Sequence, residues 1–324
     1  MLVRLLVVAA AVALSATGAT GSHAQARASD ADVQSRPIAA AFVRVDEALT
    51  PTLVGADDAA SRWLLGRREA LDPAAQTRDY AAAVAREPRQ MLYVASLADA
   101  CMRGTGAMVE CTERDPVGYW ASRDAGNAVP WLLQAERARR RNNTPSMIDN
   151  LERASKSERY DTYDHRAGAV LWSKLSRVAS PEDRAAAASL AAETTTSSGA
   201  ALDAVQALCG PQGRALDARI VASCQRLGAL MAERAGVLSD RRAGTQVALA
   251  AAASDSARSA ASELARNVVA QQERCRVALQ SVERLALAAP EQRSQAVTLG
   301  GRFVEARAKD GEAAACDALA REIS

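Results

Sequence analysis

The sequence predicts an all-α protein of antiparallel helical hairpins, and three observations carry that expectation. Alanine supplies roughly a quarter of the 324 residues and runs of β-branched residues are nearly absent, so local propensity favours helix and gives strands little to build on. Gly- and Pro-containing breaks fall where helices should end. Ser180-Pro181-Glu182-Asp183 places a capping Ser before a Pro and two acids, while Gly210-Pro211-Gln212-Gly213 and Asp310-Gly311 interrupt helical patterns. From Ala257 onward, Ala261, Leu264, Val268, Cys275, Ala278, Val282 and Leu285 keep helical seam spacing, with polar Gln271 at the one missing place.

Taken in order, residues 1–26 read as a signal peptide. Arg4 is the charged start, Leu5 to Leu14 an apolar run too short to span a bilayer, and Ala24-Gln25-Ala26 an A-x-A cleavage site. The mature chain is expected to begin near Arg27. No Cys follows the apolar run directly, since the first is Cys101, and no later stretch reaches 18 apolar residues. A mature chain with neither transmembrane segment nor lipid anchor is therefore expected, periplasmic or secreted, from a bacterial source given its scarce Lys and abundant Arg and Ala.

Residues 27–193 form the first expected domain, of shorter helices around bulky anchors: Trp63 and Leu64, Tyr80 to Val84, Met91 to Cys101, Trp131 to Ala138, and Ile148 to Ala154. Ten of the eleven aromatic residues lie between Phe42 and Trp172, and only Phe303 follows. The polar, Gly-ended stretch 194–199 is the expected linker. Residues 200–324 are the second expected domain, an Ala-rich bundle of longer helices whose seam continues through Ala296, Leu299, Phe303 and Ala306.

The six cysteines of an exported chain point to disulfides, for which 15 complete pairings exist. Geometry ranks them. If the helix through Cys275 turns near Pro290 and again at Asp310-Gly311, Cys316 returns to the level of Cys275, and both lie on apolar seams. Cys101 and Cys111 flank a Gly-containing loop that a bridge could staple. Cys209 is left with Cys224, and the segment between them would have to run back extended because Cys224 lies about 15 Å along its helix from Arg214. No C-x-x-C pair or thiol-rich metal site is present, since no two cysteines are closer than ten residues.

Charge and motifs exclude several classes. With 40 basic and 38 acidic residues, a formal net charge of +2 gives no call for nucleic acid or an anionic membrane. No G-x-S-x-G elbow, phosphate loop, dinucleotide fingerprint or H-E-x-x-H occurs. His165 is the one histidine left after the leader, so a multi-imidazole metal site is ruled out within one chain, and no cofactor is implied. The densest polar stretch is Tyr160 to Arg166. On a helix Asp161 and His165 would stand at i and i+4, where a carboxylate could orient an imidazole as a general base. The plainer expectation has Asp161 and Asp164 charging a helix start with His165 in solvent. Asp46-Glu47 and Asp57-Asp58 are expected on solvated helix faces.

At Asn127 to Ala154 the chain offers Trp131, then Ala135 four positions on, a polar turn from Arg141 to Pro145, and a second helix with Leu151 and Ala154. This resembles one degenerate unit of the tetratricopeptide family, with Met147 where a small residue is usual and the terminal Pro missing. The stretch from Arg89 through Cys101, Cys111, Asp124, Asn127 and Trp131 to Tyr160-Asp161-Thr162-Tyr163 is also similar to exported helical proteins of proteobacteria, a likeness that implies a fold and no activity. The repeat resemblance implies a protein or peptide partner held on a concave helical surface, with Trp120 and Trp131 in the core or the groove. The functional expectation is thus an exported interaction or scaffolding protein. The alternatives are a secreted carboxylate-dependent hydrolase, acting with or without His165 and with His165 and Asp161 as its candidates, and an inhibitor or immunity-like binding protein.

Overall fold

The structure is a computed structural model that describes residues 40–69, 72–104, 108–194, 199–215 and 217–323. Among these residues every regular element is helical, and the one β-type contact is an isolated bridge between Asn127 and Arg159. The expected leader and the middle of the expected linker lie outside the described residues.

The chain runs through α1 (40–55), α2 (Ala59–Arg68), α3 (Pro73–Arg86), α4 (Met91–Arg103), a short α5 (Val109–Arg114), α6 (Pro116–Arg123), α7 (Ala128–Arg140), α8 (Thr144–Ser155), α9 (Ala167–Val178) and α10 (Arg184–Glu193). Their starts follow from side-chain chemistry. Asp58, Asp72, Asn127 and Asn143 each accept a backbone N–H from the turn they precede, and Pro73, Pro116 and Pro145 occupy first-turn positions that need no N–H. Asp58 is exposed as expected, and besides capping α2 it accepts Lys174 Nζ on both oxygens at 2.8 and 2.7 Å. Burial by itself would raise its carboxyl, but the Lys174 and Ser61 hydrogen bonds outweigh that and bring it to about 2. Ser180 Oγ accepts the Asp183 N–H at 3.2 Å. Even so, residues 181–183 form a turn and α10 starts at Arg184, later than a first-turn Pro181 implied.

Then follow α11 (Gly199–Cys209), α12 (Pro211–Arg214), α13 (Ala218–Arg234), α14 (Leu238–Ala251), α15 (Asp255–Ala286), α16 (Pro290–Asp310) and α17 (Glu312–Ile323). The seam spacing marks the buried side of these helices: Ala261, Val268, Cys275, Ala278 and Val282 on α15, Ala296, Leu299 and Phe303 on α16, and Cys316 and Leu319 on α17. α13 and α14 approach most closely at two glycines. A Cβ on Gly228 would lie 2.5 Å from the Ala248 nitrogen, and one on Gly244 2.5 Å from the Ala232 nitrogen.

The cysteines pair as Cys101–Cys111, Cys209–Cys224 and Cys275–Cys316, which fits maturation in an oxidising compartment. The segment between Cys209 and Cys224 is not extended as expected. Pro211 to Arg214 coil into the single turn of α12, which shortens the return path.

Two apolar clusters organise the packing. One unites side chains of α1–α4 and α6–α9 with α11 and α13; the other sets Ala185, Ala191 and Ala192 of α10 among α15, α16 and α17. Helices on the two sides of residues 194–199 therefore interleave, α10 against α16 and α11 against α4 and α7. Hydrogen bonds fix both flanks: the Thr194 carbonyl accepts from Arg307 at 2.7 Å and the Ala200 N–H donates to Asp99 at 2.8 Å. Residues 41–324 form one compact unit. Among the described residues no helix is long and apolar enough to cross a membrane.

Candidate functional site

The candidate residues Asp161 and His165 lie on a segment held in place by Asn127. Its side chain caps α7 by accepting the Val129 N–H, accepts the Asp161 N–H at 3.0 Å, and donates to the Asp161 carbonyl at 2.7 Å. The Ala128 N–H donates to the Arg159 carbonyl, so residues 158–161 run beside the start of α7. Asp161 then accepts the N–H of Tyr163, two residues on, at 2.7 Å. This local bond offers the backbone an alternative to helix, and Tyr163 takes a left-handed φ of 63°. The helical reading of Tyr160 to Arg166 is thereby corrected: only a short 3₁₀ turn, Asp164–Arg166, precedes α9.

Asp124 anchors the outer side of this segment. One carboxylate oxygen accepts from Trp120 Nε1 at 3.2 Å, Asn127 Nδ2 at 2.9 Å and Tyr163 Oη at 2.8 Å, and the other accepts from the Arg159 guanidinium. Burial, and then the hydrogen bond to Asp124, push the Tyr163 phenol up. Trp120 is core, its ring 6.1 Å from that of Tyr163. Trp131 is half-buried, donates to the Ala125 carbonyl, and is covered by the Arg153 guanidinium 5.2 Å from its ring centre.

His165 is not in solvent as the plainer expectation had it, being 6% exposed. Its ring lies against Gly236, where a Cβ would come 2.5 Å from Nδ1 and leave no room for any other residue. Asp161 Oδ1 stands 3.4 Å from the same Nδ1, near enough for an ion pair but out of line for a hydrogen bond. On the other side Nε2 accepts from Arg166 Nε at 3.4 Å. Burial works to raise the Asp161 carboxyl, and His165, the Tyr163 N–H and Arg166 more than offset it, so the group sits low. The pair that the spacing proposed is thus brought together, but by an Asx turn, with Nδ1 buried and Nε2 held by Arg166.

Deeper in, the segment meets groups that the sequence did not single out. Asp240, in the first turn of α14 and 1% exposed, receives the Thr162 hydroxyl on one oxygen at 3.4 Å, while its other oxygen has no hydrogen-bond partner among the described residues. Burial first, then the charges of Glu312 and Asp161, raise its carboxyl to about 7. The fully buried Tyr160 hydroxyl likewise lacks a hydrogen-bond partner there, and its phenol is pushed up by burial and by Asp240 and Asp164. Glu312 caps α14 from the neighbouring chain segment, accepting the Leu238 N–H at 2.6 Å while its own N–H donates to the Gly236 carbonyl.

Arg307 completes the cluster. Fully buried on α16, it donates to the Ala192, Ala191 and Thr194 carbonyls at 2.6, 3.1 and 2.7 Å. It thereby satisfies orphan carbonyls at the end of α10 with a charge of favourable sign. Burial, together with repulsion from Arg67, lowers its pKa to about 10 although Glu312 opposes the shift. One signal could have revealed it: Arg307 follows Phe303 by four residues, a charge standing on an otherwise apolar seam. No comparable signal marks Asp240.

This set of groups holds helix ends and turns against one another. Among the described residues no group of three or more His, Cys, Asp or Glu side chains could hold a metal ion. No protein-family model, curated protein or solved structure matches the chain.

Proposed function

We propose that the chain is an exported, periplasmic or secreted, all-helical interaction or scaffolding protein that holds a protein or peptide partner. The observation that carries this reading is the outward face of α15, 32 residues and about 48 Å long. Val269 and Val277 on it are 60% and 47% exposed, and Leu287 at its C-cap is also exposed. At about 100° per residue the three fall within about 80° of one another and span about 27 Å. Large apolar side chains in one sector of a long helix, with the exposed Arg276–Glu273 pair between them and exposed Arg266 and Arg284 beside them, suit an amphipathic partner. Three disulfides support export. The tetratricopeptide resemblance is supported by α7 and α8, which pack together across a three-residue turn with Ala135, Leu151 and Ala154 buried.

A photo-crosslinking residue placed at 269 or 277 in the native host should give a discrete adduct that one placed at exposed Val54 does not. Adducts absent from both α15 positions, or equal at all three, would overturn the reading. The hydrolase alternative draws on the Asp161–His165 contact. It expects turnover of cell-wall or peptide substrates that His165→Ala abolishes, and an absence of turnover in the purified protein removes it.

A further inference from the structure

The three disulfides occupy different surroundings. Cys209, Cys224, Cys275 and Cys316 are all buried. Cys101 and Cys111 are only half-buried, and their bridge joins the last turn of α4 to α5. α5 buries no side chain. Val109 is 60% exposed, and Thr112, Glu113 and Arg114 face water as well. The Cys111 and Thr112 N–H groups and the Thr112 hydroxyl all bond to carbonyls of Met108 or Val109, within the segment itself. Beyond α5 the chain turns through Asp115, at a left-handed φ of 35°, whose carboxylate pairs with Arg137 at 2.6 Å. Neither core burial nor the bonds just named tie α5 to α4; the covalent link does.

We infer that Cys101–Cys111 is a thiol–disulfide exchange site whose opening releases α5 while the body of the protein stays folded. Exchange requires a thiolate to reach one sulfur along the S–S axis, so exposed bridges react and sealed ones do not. The co-reactant is a dithiol, either a small molecule or a dithiol oxidoreductase. Its thiolate attacks one protein sulfur, forms a mixed disulfide and expels the other cysteine as a thiolate, which takes up a proton. The second thiol of the reductant then displaces the first protein sulfur and leaves as the reductant's own disulfide. Two electrons and two protons pass to the protein, and the reverse sequence closes the bridge. Segments with few buried apolar contacts open locally at little free-energy cost, so release of α5 should leave both apolar clusters unchanged.

The test uses the full native protein exposed to graded dithiothreitol, quenched with a maleimide and mapped by peptide mass spectrometry. Cys101 and Cys111 should become labelled at least roughly tenfold faster than the other four cysteines. Hydrogen exchange in peptides covering 108–115 should then accelerate while those from α13 and α15 keep their protection. Labelling of all six cysteines at one rate, or earlier labelling of a buried pair, would overturn the assignment of the site. Unchanged exchange at 108–115 after selective reduction would overturn the release of α5. A Cys101→Ser/Cys111→Ser variant supplies a second readout, since it should show the fast 108–115 exchange without any reductant.

Discussion

Asp240 places a carboxyl raised to about 7 inside the protein, against an ordinary value of 3.8. Between those values the folded chain binds a proton that the unfolded chain has released. The contribution to stability is therefore fully present below about pH 4 and is lost as pH rises through about 7. Urea midpoints should correspond to roughly 2–3 kcal/mol less stability from this group at pH 8 than at pH 5, and Asp240→Asn should remove most of that difference. His165 gives a second expectation at this scale. Gly236→Ala would drive a methyl into the imidazole and should cost roughly 1–3 kcal/mol, as overpacked sites do, measured by chemical denaturation. The i, i+4 spacing of Asp161 and His165 suggested a contact on a helix that the segment does not form, and the Asx turn brings them together instead. Their burial was not legible in the sequence, because it depends on the Tyr163 backbone leaving helical geometry and on Gly236, more than seventy residues away, supplying a surface without a side chain.

Between elements, Arg307 is a buried tie made through three hydrogen bonds. Arg307→Ala should destabilise the chain by roughly 3–5 kcal/mol, since it leaves buried carbonyls at the end of α10 unsatisfied and opens a cavity. Arg307→Lys should recover only part of this, because an ammonium cannot span three carbonyls as a guanidinium fork does. Thermal melts of the two variants would show the order. Gly228→Ala, at the crossing of α13 and α14, should cost roughly 1–3 kcal/mol or more, because backbone atoms rather than a movable side chain stand in the way. Helix seams were readable in the sequence, since burial on α15 to α17 obeys a simple period. The crossing partners were harder to read: Gly228 and Gly244 look like ordinary weak points in two helices until the helices are set side by side.

For the molecule as a whole, the observed cysteine pairs include Cys209–Cys224, reached only as the remainder once register and loop length had ranked the other two, while the all-helical class followed from composition and punctuation, quantities that act locally or over one helix length. The interleaving of α10 with α16 did not, because nothing near residue 192 announces a bond to residue 307. In the chain-entropy picture the 41-residue separation of Cys275–Cys316 contributes about 4 kcal/mol and the 15-residue separation of Cys209–Cys224 about 3 kcal/mol. Replacing Cys275 and Cys316 by Ser should therefore lower the melting temperature more than replacing Cys209 and Cys224 does.

The same interleaving sets a timetable. A chain released from its N-terminus first makes α10 well before α16, and the Ala192 carbonyl waits 115 residues for its arginine. Until then Ala185, Ala191 and Ala192 lack the surfaces of α15, α16 and α17 and have only α9, through Ala169 and Trp172, beside them. Completion waits for α16 and so rests on contacts distant in sequence, the kind that slow folding. A fragment ending at residue 193 should consequently aggregate or recruit a holding chaperone, whereas the same fragment supplied with residues 194–323 as a separate chain should recover soluble, helical material by circular dichroism.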